Sequence, residues 1–260
     1  MSRKSIKTTR NFSATLINRL RNQVNELSTS AWDIEEGLNR SLVDPQEILA
    51  IFPTLKLREE FCLIAYQYRS GGNGNGVVFL WPKDTEVPDL RLNCNPAVHL
   101  AEFLKKHLKA ADKKMGKGTD IFPEHIMSEI QGDGSPLSYL HASILARELE
   151  EFGAMWHGCS WSTDLIVDKD PFAMKIQSTT FGSGPGRILR PEDWSWQKEV
   201  PQNWAPAVTM TERRAVVEFI TYSGLGQEAL YLHRDTYTKG NYDGRSTCDQ
   251  LASGPMGYVF

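Results

Sequence analysis

The sequence predicts an α+β fold, an antiparallel sheet of two β-hairpins with helices on one face and a Trp-rich insertion. Three observations carry that expectation. Two pairs of apolar runs, within 61–81 and 215–233, are each joined by a glycine-containing turn. Two segments between them have helical apolar spacing with marked starts and stops. Five of the seven tryptophans, Trp156, Trp161, Trp194, Trp196 and Trp204, crowd into a stretch where periodicity fades. Strands before and after a helical middle argue against the alternating order of a parallel α/β sheet.

Taken in order, the chain begins with a basic arm over 1–12. The first 25 residues carry Arg3, Lys4, Lys7, Arg10, Arg19 and Arg21 with no acid, leaving 23 basic against 32 acidic residues beyond them. A domain over 13–260 follows. Ser13 is placed to cap a helix striped by Leu16, Leu20, Val24 and Leu27. Asp44-Pro45-Gln46-Glu47 combines a cap, a proline at the first helical position and an early acid, predicting a short helix that ends at Pro53.

The first hairpin is expected from strands over 61–68 and 77–81, joined by a flexible tip at 70–76. A helix capped by Asn95 then carries Val98, Ala101, Leu104, Leu108 and Ala111 to a stop at Gly116, with Lys105, Lys106, Lys109, Lys113, Lys114 and Lys117 near its end. Ser135-Pro136 opens another helix, through Leu137, Leu140, Ile144, Leu145, Leu149 and Phe152, closed by Gly153. Residues 154–210 read as a loop-rich insertion containing a strand at Leu165-Ile166-Val167. The second hairpin pairs 215–222 with 228–233 across Ser223-Gly224-Leu225-Gly226.

Composition narrows the function classes. The longest apolar runs fall far short of the ~20 residues that span a bilayer, so no membrane span is expected. Four scattered cysteines without a CxxC pair suit a reducing compartment better than a disulfide scaffold. The expected setting is the cytoplasm, with organelle targeting through the acid-free N-terminus as the alternative.

The leading expectation is a non-catalytic binding or accessory protein that recognises a protein partner or planar small molecule. Trp156, Trp161, Trp194 and Trp196 with Arg187 would form the recognition surface, because indoles offer large apolar faces with one donor at the edge. The rival is an enzyme using His157 and Cys159 in Trp156-His157-Gly158-Cys159-Ser160-Trp161, since an imidazole two residues from a thiol can activate it; Asp164 and Asp168 are the nearest orienting groups. A third reading places single-stranded nucleic acid on Arg3, Lys4, Lys7 and Arg10, although the acidic body is a poor footprint for it. No metal or cofactor is expected: Gly182-Ser183-Gly184-Pro185-Gly186 lacks the Lys-Ser/Thr of a phosphate loop, and the Cys and His spacing lacks paired zinc ligands. His141 reads as a core histidine and His233 as a cross-strand contact, with a pocket group as the alternative.

Overall fold

The computed structural model describes residues 7–29, 35–87, 123–156, 159–173, 175–176 and 187–258. They form an α+β arrangement dominated by antiparallel pairing. The strands are β1 (Thr8–Asn11), β2 (Gly37–Arg40), β3 (Leu55–Leu57), β4 (Phe61–Ser70), β5 (Asn73–Pro82), β6 (Ile130–Gly132), β7 (Leu165–Val167), β8 (Lys175–Ile176), β9 (Arg187–Ile188), β10 (Ser195–Trp196), β11 (Ala207–Met210), β12 (Arg214–Ser223), β13 (Gln227–Thr238) and β14 (Arg245–Met256). The helices are α1 (Ala14–Thr29), α2 (Pro45–Ala50) and α3 (Pro136–Glu150). The helix expected from Asn95, with its lysines, lies outside the described residues.

The largest sheet runs β1-β11-β12-β13-β14-β10, and β7 also pairs with β12. A second sheet runs β2-β4-β5, while β3-β6 and β8-β9 form two-stranded pairs. Both expected hairpins form, β4–β5 and β12–β13, but they sit in different sheets. The reason lies in α3. Its buried residues include Tyr139, Leu140, His141, Ala142, Ser143, Ile144, Leu145 and Glu148, which together go right round the helix axis. A helix buried all round needs more than one surface to cover it, and α3 packs on β11 and β12 of the large sheet and on β5 of the hairpin sheet.

Turn chemistry explains the hairpin boundaries. Gly71 (φ +56°) and Gly72 (φ +89°) occupy a two-residue turn, which needs left-handed backbone at both central positions. Asn73–Gly76, expected as part of a flexible tip, therefore joins β5 and pairs with Gln67–Ser70. At the other end β13 continues to Thr238 and returns as β14, a strand without an apolar run to announce it.

The N-terminal segment is knitted into this frame. Four residues of the expected arm form β1, which pairs along β11, and Phe12 is buried. Ser13 accepts from the Leu16 amide at 3.3 Å and Asp168 accepts from the Ala14 amide at 2.8 Å, so two of the helix's orphan donors are satisfied. One apolar cluster then joins Ile17, Leu20 and Val24 of α1, Ile48 of α2, Leu63 and Leu80 of the hairpin, Leu140 and Ile144 of α3, and Val208, Val217 and Phe219 of the large sheet.

Candidate functional site

Successive residues of a strand point to opposite faces. On β13 this sends Tyr231, His233, Asp235 and Tyr237 toward α3, and the register with β12 sets Phe219 opposite His233 and Thr221 opposite Tyr231. The inward row is thus markedly polar. Burial obliges each of its groups to find a partner.

Asp235, only 1% exposed, meets Arg147 of α3 through two contacts, Nη1 to Oδ2 at 2.6 Å and Nη2 to Oδ1 at 3.0 Å. The Ser143 hydroxyl, one helical turn earlier, donates to the same carboxylate. Burial opposes both charges, but the paired hydrogen bonds win, holding the Asp235 carboxyl below and the Arg147 guanidinium above their ordinary values.

A second buried pair lies one residue along. Arg21 Nε is 3.6 Å from Glu148 Oε1, and both side chains are 7% exposed. Burial raises the Glu148 carboxyl to about 7, with Arg21 opposing the rise, and lowers Arg21. Trp161 Nε1 donates to Glu148 at 2.8 Å, while its indole lies under Arg21 at 4.2 Å and beside Arg147 at 5.6 Å. Arg21 also donates to the Trp161 and Asp164 carbonyls. Glu151 accepts from the amides of Ser160, Trp161 and Ser162. The turn at Trp161–Thr163 is therefore pinned from α1 and from the end of α3, and the next residue, Asp164, is aimed at β12.

There the Thr221 hydroxyl donates to Asp164 Oδ2 at 3.0 Å and lies 2.9 Å from His233 Nε2. The imidazole stacks on Phe219, with ring centres 4.9 Å apart, and meets Trp161 edge-on. Burial, opposed by hydrogen bonds from Ser223 and Thr221, raises Asp164 to about 6. Burial, reinforced by Arg147, lowers His233 to about 4. A neighbouring carboxyl and imidazole whose environments reverse their ordinary order in this way mark a functional candidate.

These side chains open on a cavity of about 540 Å³ bordered by Arg147, Glu151, Trp161, Asp164, Tyr231 and His233. That size suits a small molecule. Asn75 of the hairpin and Ala154 complete one rim. Gly153 (φ +67°) ends α3 there, and a Cβ on it would come within 2.5 Å of the Gln67 amide nitrogen, so only glycine lets the helix end sit this close to β4. Trp156, 50% exposed and at φ +49°, follows directly after that rim.

The residues expected from sequence are dispersed. Trp161 lies at the cavity, but its faces are engaged by guanidinium groups. Trp194 (8% exposed) and the half-buried Trp196 belong to another cluster, on the opposite face of the large sheet, with Phe172, Tyr222 and Trp204. The five indoles thus do not share one surface. Arg187 contributes backbone to β9. Cys159 is half-buried, and burial pushes its thiol up, the direction opposite to nucleophilic activation. His157, Gly182–Gly186, Cys94, Arg3 and Lys4 lie outside the described residues, as does the side chain of Arg187. Lys7 and Arg10 are exposed, with Arg10 over the Phe12 ring at 5.4 Å. His141 is buried, hydrogen-bonded to Thr54 at 2.7 Å and lowered by burial to about 4.

None of Arg147, Glu148, Thr221, Tyr231 and Asp235 is among the candidates expected from sequence, where Arg21 counts only as one of the six basic residues of the N-terminal segment. One signal for them exists: Tyr231-x-His233-x-Asp235-x-Tyr237 is a polar row at strand period, and Ser143 and Arg147 share a face of a helix buried all round. Among the described residues no three His, Cys, Asp or Glu side chains gather as a metal-ligand set. No described helix is long and apolar enough to cross a membrane. Comparison with known protein families, curated proteins and solved structures finds no match.

Proposed function

We propose that this protein binds a small polar molecule in the cavity beside Trp161, with Asp164, Tyr231 and His233 as the groups that touch it. The observation that carries the reading is the cavity's lining, a concave space of about 540 Å³ in which Asp164 and His233 both meet the buried Thr221 hydroxyl and Arg147 is paired with Asp235. Preorganised donors and acceptors lose little entropy when a ligand arrives. The reading keeps the expected class, a binding protein, and moves recognition from a tryptophan surface to polar groups beside one buried tryptophan.

The lining suggests what the molecule carries. Glu150, Glu151 and Asp164 bring negative charge to the walls, while the cation facing them, Arg147, is already paired with Asp235. A ligand rich in hydrogen-bond donors, or bearing one positive charge, is favoured. Screening small amines and polyols by the intrinsic fluorescence of the full chain tests this directly. The expected result is saturable quenching that shrinks at least tenfold in affinity in Asp164→Ala. Saturable binding equally strong in Asp164→Ala and Tyr231→Phe would move the site elsewhere.

A further inference from the structure

We propose that Asp164, Thr221 and His233 form a proton relay, making the cavity an acid–base catalytic site for a small molecule that gives up or takes a single proton. This inference rests on the cavity as the functional site, but its test is read in the protein without ligand.

Thr221 is 0% exposed, and its hydroxyl has one proton to give and lone pairs to receive. While Asp164 is ionised, Thr221 donates to Oδ2 and must accept from His233, so the imidazole carries its proton on Nε2. Now let a proton arrive at the other ring nitrogen, Nδ1, from a molecule in the cavity. The Nε2 proton passes to Thr221 Oγ1 and the Thr221 proton passes to Asp164 Oδ2. One N–H forms and one breaks at the ring, one O–H forms and one breaks at the hydroxyl, and one O–H forms at the carboxyl. The whole chain gains one proton, and no imidazolium is left buried. Run backward, the same chain gives that proton to the ligand.

The surroundings favour this direction. His233 faces Arg147 from α3, Asp235 from its own strand and Arg21 from α1, and a positive ring beside two guanidinium groups is costly. Asp164 faces Arg21, Glu151 at the end of α3, Tyr231 on β13, Cys248 on β14 and Tyr258 near the C-terminus. Burial makes the carboxyl the easier place to store a proton, near pH 6, whereas the ring alone resists protonation until about 4. Asp164 and His233 both line the cavity, so the relay has two openings. Thr221 between them is a positioning residue.

The test is the tautomeric state of His233, read from ring ¹⁵N shifts in the unliganded full chain between about pH 8 and about pH 5. The relay requires a neutral ring throughout, with its proton moving from Nε2 to Nδ1 as Asp164 takes up a proton near pH 6. Thr221→Val should abolish the change, Thr221→Ser should restore it, and Asp164→Asn should hold one tautomer across the range. A single tautomer at all pH values in the unsubstituted protein, formation of imidazolium in that window, or a change that persists in Asp164→Asn overturns the relay. A protein that switches tautomer but saturates with no amine or polyol keeps the relay and loses the ligand-binding reading; one that binds without switching does the reverse.

Discussion

The two faces of the β12–β13 hairpin are built on opposite principles. Facing α3, the strands present Thr221, His233 and Asp235 in a network of charges and hydroxyls. Facing away, Ile220, Tyr222 and Leu230 pack with Val167, Leu189, Trp194 and Leu251 in an aromatic and aliphatic cluster. The same backbone registers both. What separates them is the cost of error: an apolar contact degrades in proportion to lost area, while a buried charge that loses its partner keeps its full desolvation penalty. The polar face is thus expensive to build, and such expense is expected where side chains must be aimed rather than merely packed.

The comparison predicts its own largest effect at Asp235. Asp235→Ala leaves Arg147 buried without its bidentate partner, and should cost about 3–5 kcal/mol in urea unfolding. Joint replacement, Arg147→Met with Asp235→Leu, should cost clearly less than Asp235→Ala alone. If the double variant is the worse of the two, the pair stabilises the fold outright and the contrast fails. On the apolar face, Leu230 is fully buried, so Leu230→Ala should cost about 3 kcal/mol, with the same loss at pH 5 and pH 8.

A third effect has the opposite sign and depends on pH. Because the folded state raises Asp164 from 3.8 to about 6, it holds that proton more tightly than the unfolded chain does. Its stabilising contribution is complete below the unfolded value of 3.8, is lost as pH rises toward 6, and is absent above that. Asp164→Asn, which cannot ionise, should therefore stabilise the protein by about 1–2 kcal/mol at pH 8 and not at all at pH 3.5, since a two-unit shift bounds the gain and the weaker amide hydrogen bonds reduce it. Equal unfolding midpoints at pH 8 would show that Asp164 carries no such burden. A gain at pH 8 would mean that stability has been given up at the cavity, the usual mark of a working site.

How much of this was legible in sequence follows from the length scale of each signal. Caps and turns are local, so Ser13, Asp44 with Pro45, Ser135 with Pro136 and Gly153 mark α1, α2 and the two ends of α3. Strand pairing within a hairpin is local too, and Gly71 and Gly72 settle it. Assignment of the hairpins to different sheets is not local, because it depends on what surrounds α3. The site is harder still. Arg21, Glu148, Asp164 and His233 come from α1, α3, the turn after Trp161 and β13, and no spacing relates them. Arg21 illustrates the problem: within its own segment it is one of six basic residues, and only the fold shows it 6% exposed against an indole. The tryptophans follow the same rule. Nearness in sequence says nothing about which face of a sheet each indole joins, and Trp161 and Trp194 are buried on opposite faces of the same one.

The smallest effect is also the best control on the comparison. Arg234 and Glu218 face each other across β12 and β13, with Nη2 to Oε1 at 2.7 Å, as short as the contacts of Arg147 with Asp235. Arg234 and Asp235 are adjacent on β13, so the two ion pairs share one strand and the same chemistry, although Arg147 reaches Asp235 from α3 and Glu218 reaches Arg234 from β12. They differ in burial: side chains 48% and 36% exposed outside, 12% and 1% inside. Water solvates the outer charges whether or not they meet, and salt screens what attraction remains. Glu218→Gln should change unfolding free energy by less than about 0.5 kcal/mol and should do so only at low ionic strength. A cost above about 2 kcal/mol there would mean that contact geometry, not desolvation, sets the energy of these pairs, and the large penalty expected at Asp235 would need another cause.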